Sequence, residues 1–183
     1  DAQKLLQQII KEKWIVAKAV VGIFDAKSNG ENIELSNGIN FSFMRQQTKK
    51  NGQPNFCLSD LISPNGDYFG VFAVTTGLNI EKKIAEFEKQ HDDYNSIMLK
   101  ALADRLAEAF AERMHERVRK ELWGYTADEN LSNEDLIREK YQGIRPAPGY
   151  PACPDHSVKR QMFDLLQCAD IGMSLTESLA MTP

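Results

Sequence analysis

Residues 143–156 read GIRPAPGYPACPDH, four prolines and two glycines set among Arg145, Tyr150, Cys153 and His156. The planar fork of Arg145 suits a carboxylate. The ring of Tyr150 offers a face to a cation, and Gly149 admits close backbone approach. Each proline lacks an N–H, fixes its own φ and pushes its predecessor into extended backbone. Residues 144–155 are therefore expected to be stiff, extended and rich in carbonyl acceptors without matching donors. Much of the ordering entropy is already lost in the unfolded chain, which lowers the cost of binding. Together these groups suit a small zwitterion with an extra positive centre. A plainer reading stands beside this one: proline-rich connections between helices are common, and an arginine in one can cap a helix or pair with a carboxylate.

Cys153-x-x-His156 has the spacing of half a metal site, but no second ligand pair accompanies it. His91 and His115 are isolated on helical sequence. The expectation is no metal, with a buried thiol beside a helix-entry histidine. Glu108 either receives an ammonium group or pairs with Arg105 three residues earlier. The stretch DENLSNED, residues 128–135, reads as a solvated acidic run that caps a helix, with a basic partner as the alternative. There is no phosphate loop, no GxGxxG and no GxSxG, and no catalytic nucleophile is identified.

The elements that must position these residues fall into two stretches. Leu5, Leu6, Ile9 and Ile10 mark a helix over residues 2–13. WIVAKAVVGIFDA reads as a buried strand. NGENIELSNG supplies a turn, a short strand and a turn. INFSFMRQ alternates with period two, and DYFGVFAVTTG is another strand. Short connections make the strands antiparallel. Residues 80–122 are helical, with a break near QHDD. From Tyr94 to Leu122 apolar residues recur every fourth position, overshooting a helical turn by roughly 40° per step, so the stripe winds. It places Leu106 in the core. The face bearing Tyr94, Ile97 and Ala101 is expected to start buried and turn charged at Arg105, Glu108 and Glu112. The alanines at 101, 103, 107, 109 and 111 let other backbone come close. LSNEDLIREKYQGI is a helix capped by Ser132, with Asp135 three residues on and Gly143 closing it. HSVKRQMFDLLQ is a third helix with Ser157 as cap, and SLTESLAM alternates weakly as a strand. The class is α+β: strands first, helices after.

The chain has 183 residues, 42% hydrophobic and 26% charged, with a formal net charge of −4. That suits one domain with a core. The acidic balance argues against nucleic acid, and no stretch is long and apolar enough for a bilayer span. Three cysteines at unrelated spacings form no disulfide framework, and a reduced, cytoplasmic setting is expected.

Several stretches resemble the activation domain of cobalamin-dependent methionine synthases. They are ELWGYTADENLSNEDLIREKYQGIRPAPGYPACPDHS, HDDYNSIMLKALADRLAEAFAERMHERVRKELWGY and the strand segments AVVGIF, FMRQQ, FCLSDLISP, DYFGVFAVTTG and LTESLAMTP. The resemblance implies an α+β fold, a twisted antiparallel sheet flanked by helices, one of them long. It implies a single domain over 1–183, expected to be truncated at both ends. It further implies binding of S-adenosylmethionine and a part in reductive methylation of inert cob(II)alamin. Cobalamin and zinc would be held by other domains of the parent protein, which would not turn over through this chain alone. Partners would be the cobalamin domain of the same polypeptide and flavodoxin or an equivalent reductase. By position, Arg145 would hold the ligand carboxylate, the Ala147 backbone and the Tyr150 ring would line the pocket, and Glu108 would approach the amino acid end. The rival readings are a self-contained methyltransferase, which would need a glycine-rich cradle, and an interaction module that has lost the ligand.

Overall fold

A computed structural model describes residues 1–183. The helices are α1 (Ala2–Glu12), α2 (Ile80–Lys89), α3 (Asp93–Arg117), α4 (Asn133–Ile137) and α5 (Val158–Leu166). The strands are β1 (Val16–Asn29), β2 (Asn32–Leu35), β3 (Asn40–Ser42), β4 (Asp67–Leu78), β5 (Ser174–Leu175) and β6 (Met181–Thr182). The main sheet has the order β3-β2-β1-β4 and β5 pairs with β6. The expected α+β class with an antiparallel sheet and one long helix is what forms.

The chain packs as two compact units, each built from separate segments. One comprises Asp1–Val20, Phe72–Glu116 and Gln167–Pro183; the other comprises Val21–Val71 and Arg117–Leu166.

In the first unit, Leu5 and Ile9 of α1 bury against Ile80, Leu99 and Ala103, with Trp14, Ile84, Phe87 and Met98 around them. Leu5 and Ile9 meet because i and i+4 share a helix face. Lys13 ends α1 in the left-handed region at φ 54° and donates its N–H to the Ile9 carbonyl. The buried positions of α3 are Ser96, Leu99, Ala103, Met114 and His115. Tyr94 and Ile97 are 56% and 66% exposed. The face expected to start buried is thus open to water from its first turn, and Leu106 is only half-buried. Steps of three and four residues keep Ser96, Leu99 and Ala103 on one face, whereas a strict four-residue series drifts off it. Ala103 does allow close approach: the Thr76 hydroxyl donates to its carbonyl at 2.6 Å.

In the second unit, the β1–β2 hairpin pairs Asn29 with Asn32 and Ala26 with Leu35. Gly30 takes φ 60° at its turn, a conformation glycine adopts without steric cost. Ile33 lies opposite Phe41. Phe41 packs at ring distances of 5.9 Å on Phe43 and 5.7 Å on Phe69. β1 forms where expected but is half-buried or exposed along its length rather than buried, with Ala26 its one buried residue. The segment after β3 is held by Arg45, which reaches Asp60 at 2.6 and 2.8 Å and Glu31 at 3.0 Å.

One helix end and one strand differ from expectation. α4 stops at Ile137, well before Gly143. Glu139 takes the left-handed position at φ 53°. The Glu139 N–H reaches the Leu136 carbonyl and the Lys140 N–H reaches that of Asp135, both at 3.0 Å. That pattern closes a helix without glycine. SLTESLAM yields the turn between two strands, β5 and β6, rather than one strand, and Leu179 takes φ 63° in that turn.

Candidate functional site

The proline loop folds into consecutive turns rather than lying extended throughout. The Tyr150 N–H donates to the Ala147 carbonyl at 3.0 Å, the Cys153 N–H to Tyr150 at 2.9 Å, and the Gly149 N–H to Cys153 at 2.8 Å. Pro148 and Gly149 occupy the centre of the first turn, with Gly149 at φ 104°. Proline pre-sets the first central position, and the positive φ at the second calls for glycine. Three carbonyls expected to be free acceptors, those of Ala147, Tyr150 and Cys153, are therefore engaged within the loop. Stiffness survives, but it comes from turns.

The turns separate the side chains by environment. Cys153 is 2% exposed. Burial, then Asp155, then Cys57 pushes its thiol up to about 11, so it stays protonated and unreactive at neutral pH. Asp155 accepts from both the N–H and the hydroxyl of Ser157; these bonds hold its carboxyl below the usual range. His156 precedes α5, and its carbonyl receives the Lys159 N–H at 3.1 Å. No three His, Cys, Asp or Glu side chains gather as a metal site. Tyr150 is 64% exposed, leaving its ring face available. Arg145 is half-buried and its Nε is buried.

Glu108 lies on α3, in the first unit, where it pairs with Arg105 at 2.8 Å; the side chains are 70% and 77% exposed. Arg145, Ala147 and Tyr150 lie in the second unit. The Arg105 pairing anticipated for Glu108 forms in this structure. An open groove along α1, lined by Asp1, Lys4, Leu5 and Tyr94 among others, contains none of the four predicted site residues.

The support beneath the Arg145 segment went unrecognised in the sequence. After α3 the helix widens into a π turn, Val118–Leu122, and the Trp123 N–H bonds the Val118 carbonyl at 2.9 Å. The Thr126 N–H then folds back onto the Arg119 carbonyl at 3.0 Å. That return brings Glu129 to Arg119, with Nη2–Oε1 at 2.6 Å and Nε–Oε2 at 2.9 Å. The two side chains are 0% and 8% exposed. Glu129, read as part of a solvated run, is thus a buried ion-pair partner. A buried guanidinium needs such a bidentate partner to offset its desolvation. Tyr141 lies 4.5 Å from the Arg119 guanidinium at its ring centroid. No spacing rule links positions 119, 129 and 141; the only signal was an Arg and a Glu flanking the aromatic pair Trp123 and Tyr125.

The sequence profile of the vitamin B12 dependent methionine synthase activation domain matches residues 1–183. A solved crystal structure of the MetH reactivation domain bound to AdoHcy is 52% identical, with a TM-score of 0.92. The likeness covers 100% of this chain and 60% of that one. This chain therefore spans about three-fifths of the length of that relative. With the profile matched from the first residue to the last, the chain belongs to the activation-domain family of vitamin B12 dependent methionine synthase.

Proposed function

We propose that this chain binds S-adenosylmethionine as the reactivation module of a cobalamin-dependent methyltransferase. The observation that carries the reading is the AdoHcy bound to a relative 52% identical over the whole of this chain. AdoHcy is what S-adenosylmethionine becomes when its methyl is transferred. In this reading Arg145 holds the ligand carboxylate through its planar fork. The Tyr150 ring, exposed on a stiff turn, meets the sulfonium, and the Ala147 backbone borders the same loop. Glu108 is proposed to receive the ligand ammonium, exchanging an exposed bond to Arg105 for one to the ligand.

The chemistry beyond binding belongs to the parent protein. Its cobalamin, held by another domain, would supply the methyl acceptor, and flavodoxin or an equivalent reductase the electron, in the cytoplasm. This chain's own residues bind and orient the methyl donor, and the chain does not turn over alone. No helix is long and apolar enough to cross a membrane. The interaction-module reading is tested by the same experiment. At a ligand concentration a hundredfold above Kd, binding adds about 2.7 kcal/mol to stability. Thermal unfolding with saturating S-adenosylmethionine or AdoHcy should shift upward; identical melting with and without either ligand would remove the ligand reading.

A further inference from the structure

The residues just before Arg145 are pinned by one aromatic side chain. Tyr125 donates its hydroxyl to the Gln142 carbonyl at 3.3 Å. The same oxygen lies 3.0 Å from where a Cβ at Gly143 would stand, and Gly143 itself takes φ 89°. The tyrosine and the glycine therefore fit each other: a side chain at 143 would both strain the backbone and crowd the hydroxyl. The Tyr125 ring is braced in turn by Trp123, edge-on at 5.3 Å. Trp123 closes on Gly70, where a Cβ would come within 2.9 Å of the indole. On the preceding residue, Tyr141 rests against the Arg119 guanidinium. Residues 141–143 are thus fixed from the π turn and the segment that follows it, and Arg145 leaves that fixed backbone two residues later.

We propose that Tyr125 is a positioning residue: by holding Gln142 and Gly143 it aims Arg145 at the carboxylate of the bound ligand. This rests on the reading that Arg145 holds that carboxylate. A bidentate bond tolerates little misdirection, whereas contacts to the rest of the ligand do not pass through Arg145.

The test is a titration of the full chain with two ligands, S-adenosylmethionine and its decarboxylated form. Tyr125→Phe should weaken S-adenosylmethionine roughly three- to tenfold, the loss of one hydrogen bond. It should leave the affinity for the decarboxylated ligand unchanged. Gly143→Ala, which displaces the same backbone, should give the same selective loss. A purely structural role for Tyr125 would weaken both ligands equally, and that result, or no loss at all, overturns the proposal. Arg145→Ala run alongside separates the two assumptions. Selective loss there but none in Tyr125→Phe contradicts the positioning role alone. No selective loss in Arg145→Ala contradicts the carboxylate assignment on which the role rests.

Discussion

Two arginine–glutamate pairs start from the same helical run and end in different solvents. Arg105 meets Glu108 at 2.8 Å with the side chains 77% and 70% exposed. Arg119 meets Glu129 at 2.6 Å with the side chains 0% and 8% exposed. Water screens the first pair, and such pairs contribute about 0.2–1 kcal/mol. Either member can exchange its partner at little cost, which is what a ligand-receiving carboxylate needs. The second pair has no water to fall back on, and removing one member strands a buried charge. It can hold a segment in place but cannot readily let go. In the proposed reading, recognition and support use the same two residue types, separated by burial.

Breaking the buried pair should produce the largest effect. Arg119→Ala or Glu129→Ala should destabilise the fold by about 3–5 kcal/mol, read by urea unfolding; a loss below about 1 kcal/mol would mean the pair is solvated. Next comes the core of the first unit. Leu99 is fully buried, so Leu99→Ala should cost about 2–5 kcal/mol, and Leu106→Ala distinctly less. Equal losses would restore the four-residue stripe as the buried face.

A third prediction concerns an exposed pair with a measurable titration. Lys140, then Ser132, holds the Asp135 carboxyl at about 2, below its ordinary 3.8. A depressed folded value means that its contribution is complete above about pH 4 and is lost as pH falls through about 2. Carboxyl titration by NMR should show that midpoint, with the α4 amides losing protection over the same range; a midpoint near 4 would contradict the capping box. The smallest effect is expected at Glu108. Glu108→Gln should change stability by less than about 0.5 kcal/mol while weakening S-adenosylmethionine. A stability loss as large as that of Glu129→Ala would erase the distinction between the pairs.

What could be read from the sequence was what local rules govern. Leu5 and Ile9 share a face at i, i+4; Ser132 and Asp135 form the box their spacing announces, the Ser132 hydroxyl accepting the Asp135 N–H at 3.2 Å. Arg105 finds Glu108 at i, i+3. The period-two alternation puts Phe41 and Phe43 inside. What could not be read depended on the chain returning to itself. Glu129 reaches Arg119 because the chain folds back after the π turn, the Thr126 N–H bonding the Arg119 carbonyl. Tyr125 reaches Gln142 across seventeen residues. Glu139 ends α4 in a left-handed conformation that sequence rules reserve for glycine, and this misdirected the helix end to Gly143. Prolines in residues 144–155 signalled stiffness correctly but not its form, because each Pro-x pair that reads as extended also starts a turn when glycine or a small residue follows. Arg145, Tyr150 and Glu108 stood out by their chemistry, and the resemblance assigned their roles and added Ala147; their surroundings were not legible.

The most direct measurement is calorimetric titration of S-adenosylmethionine into the wild-type chain and into Arg145→Ala. Saturable binding is expected for the wild type, with a loss of about 1.5–3 kcal/mol in the variant, the worth of a hydrogen bond to a charged group. Equal affinity in the two would contradict the role of Arg145, and no binding by either would leave the proline loop as architecture.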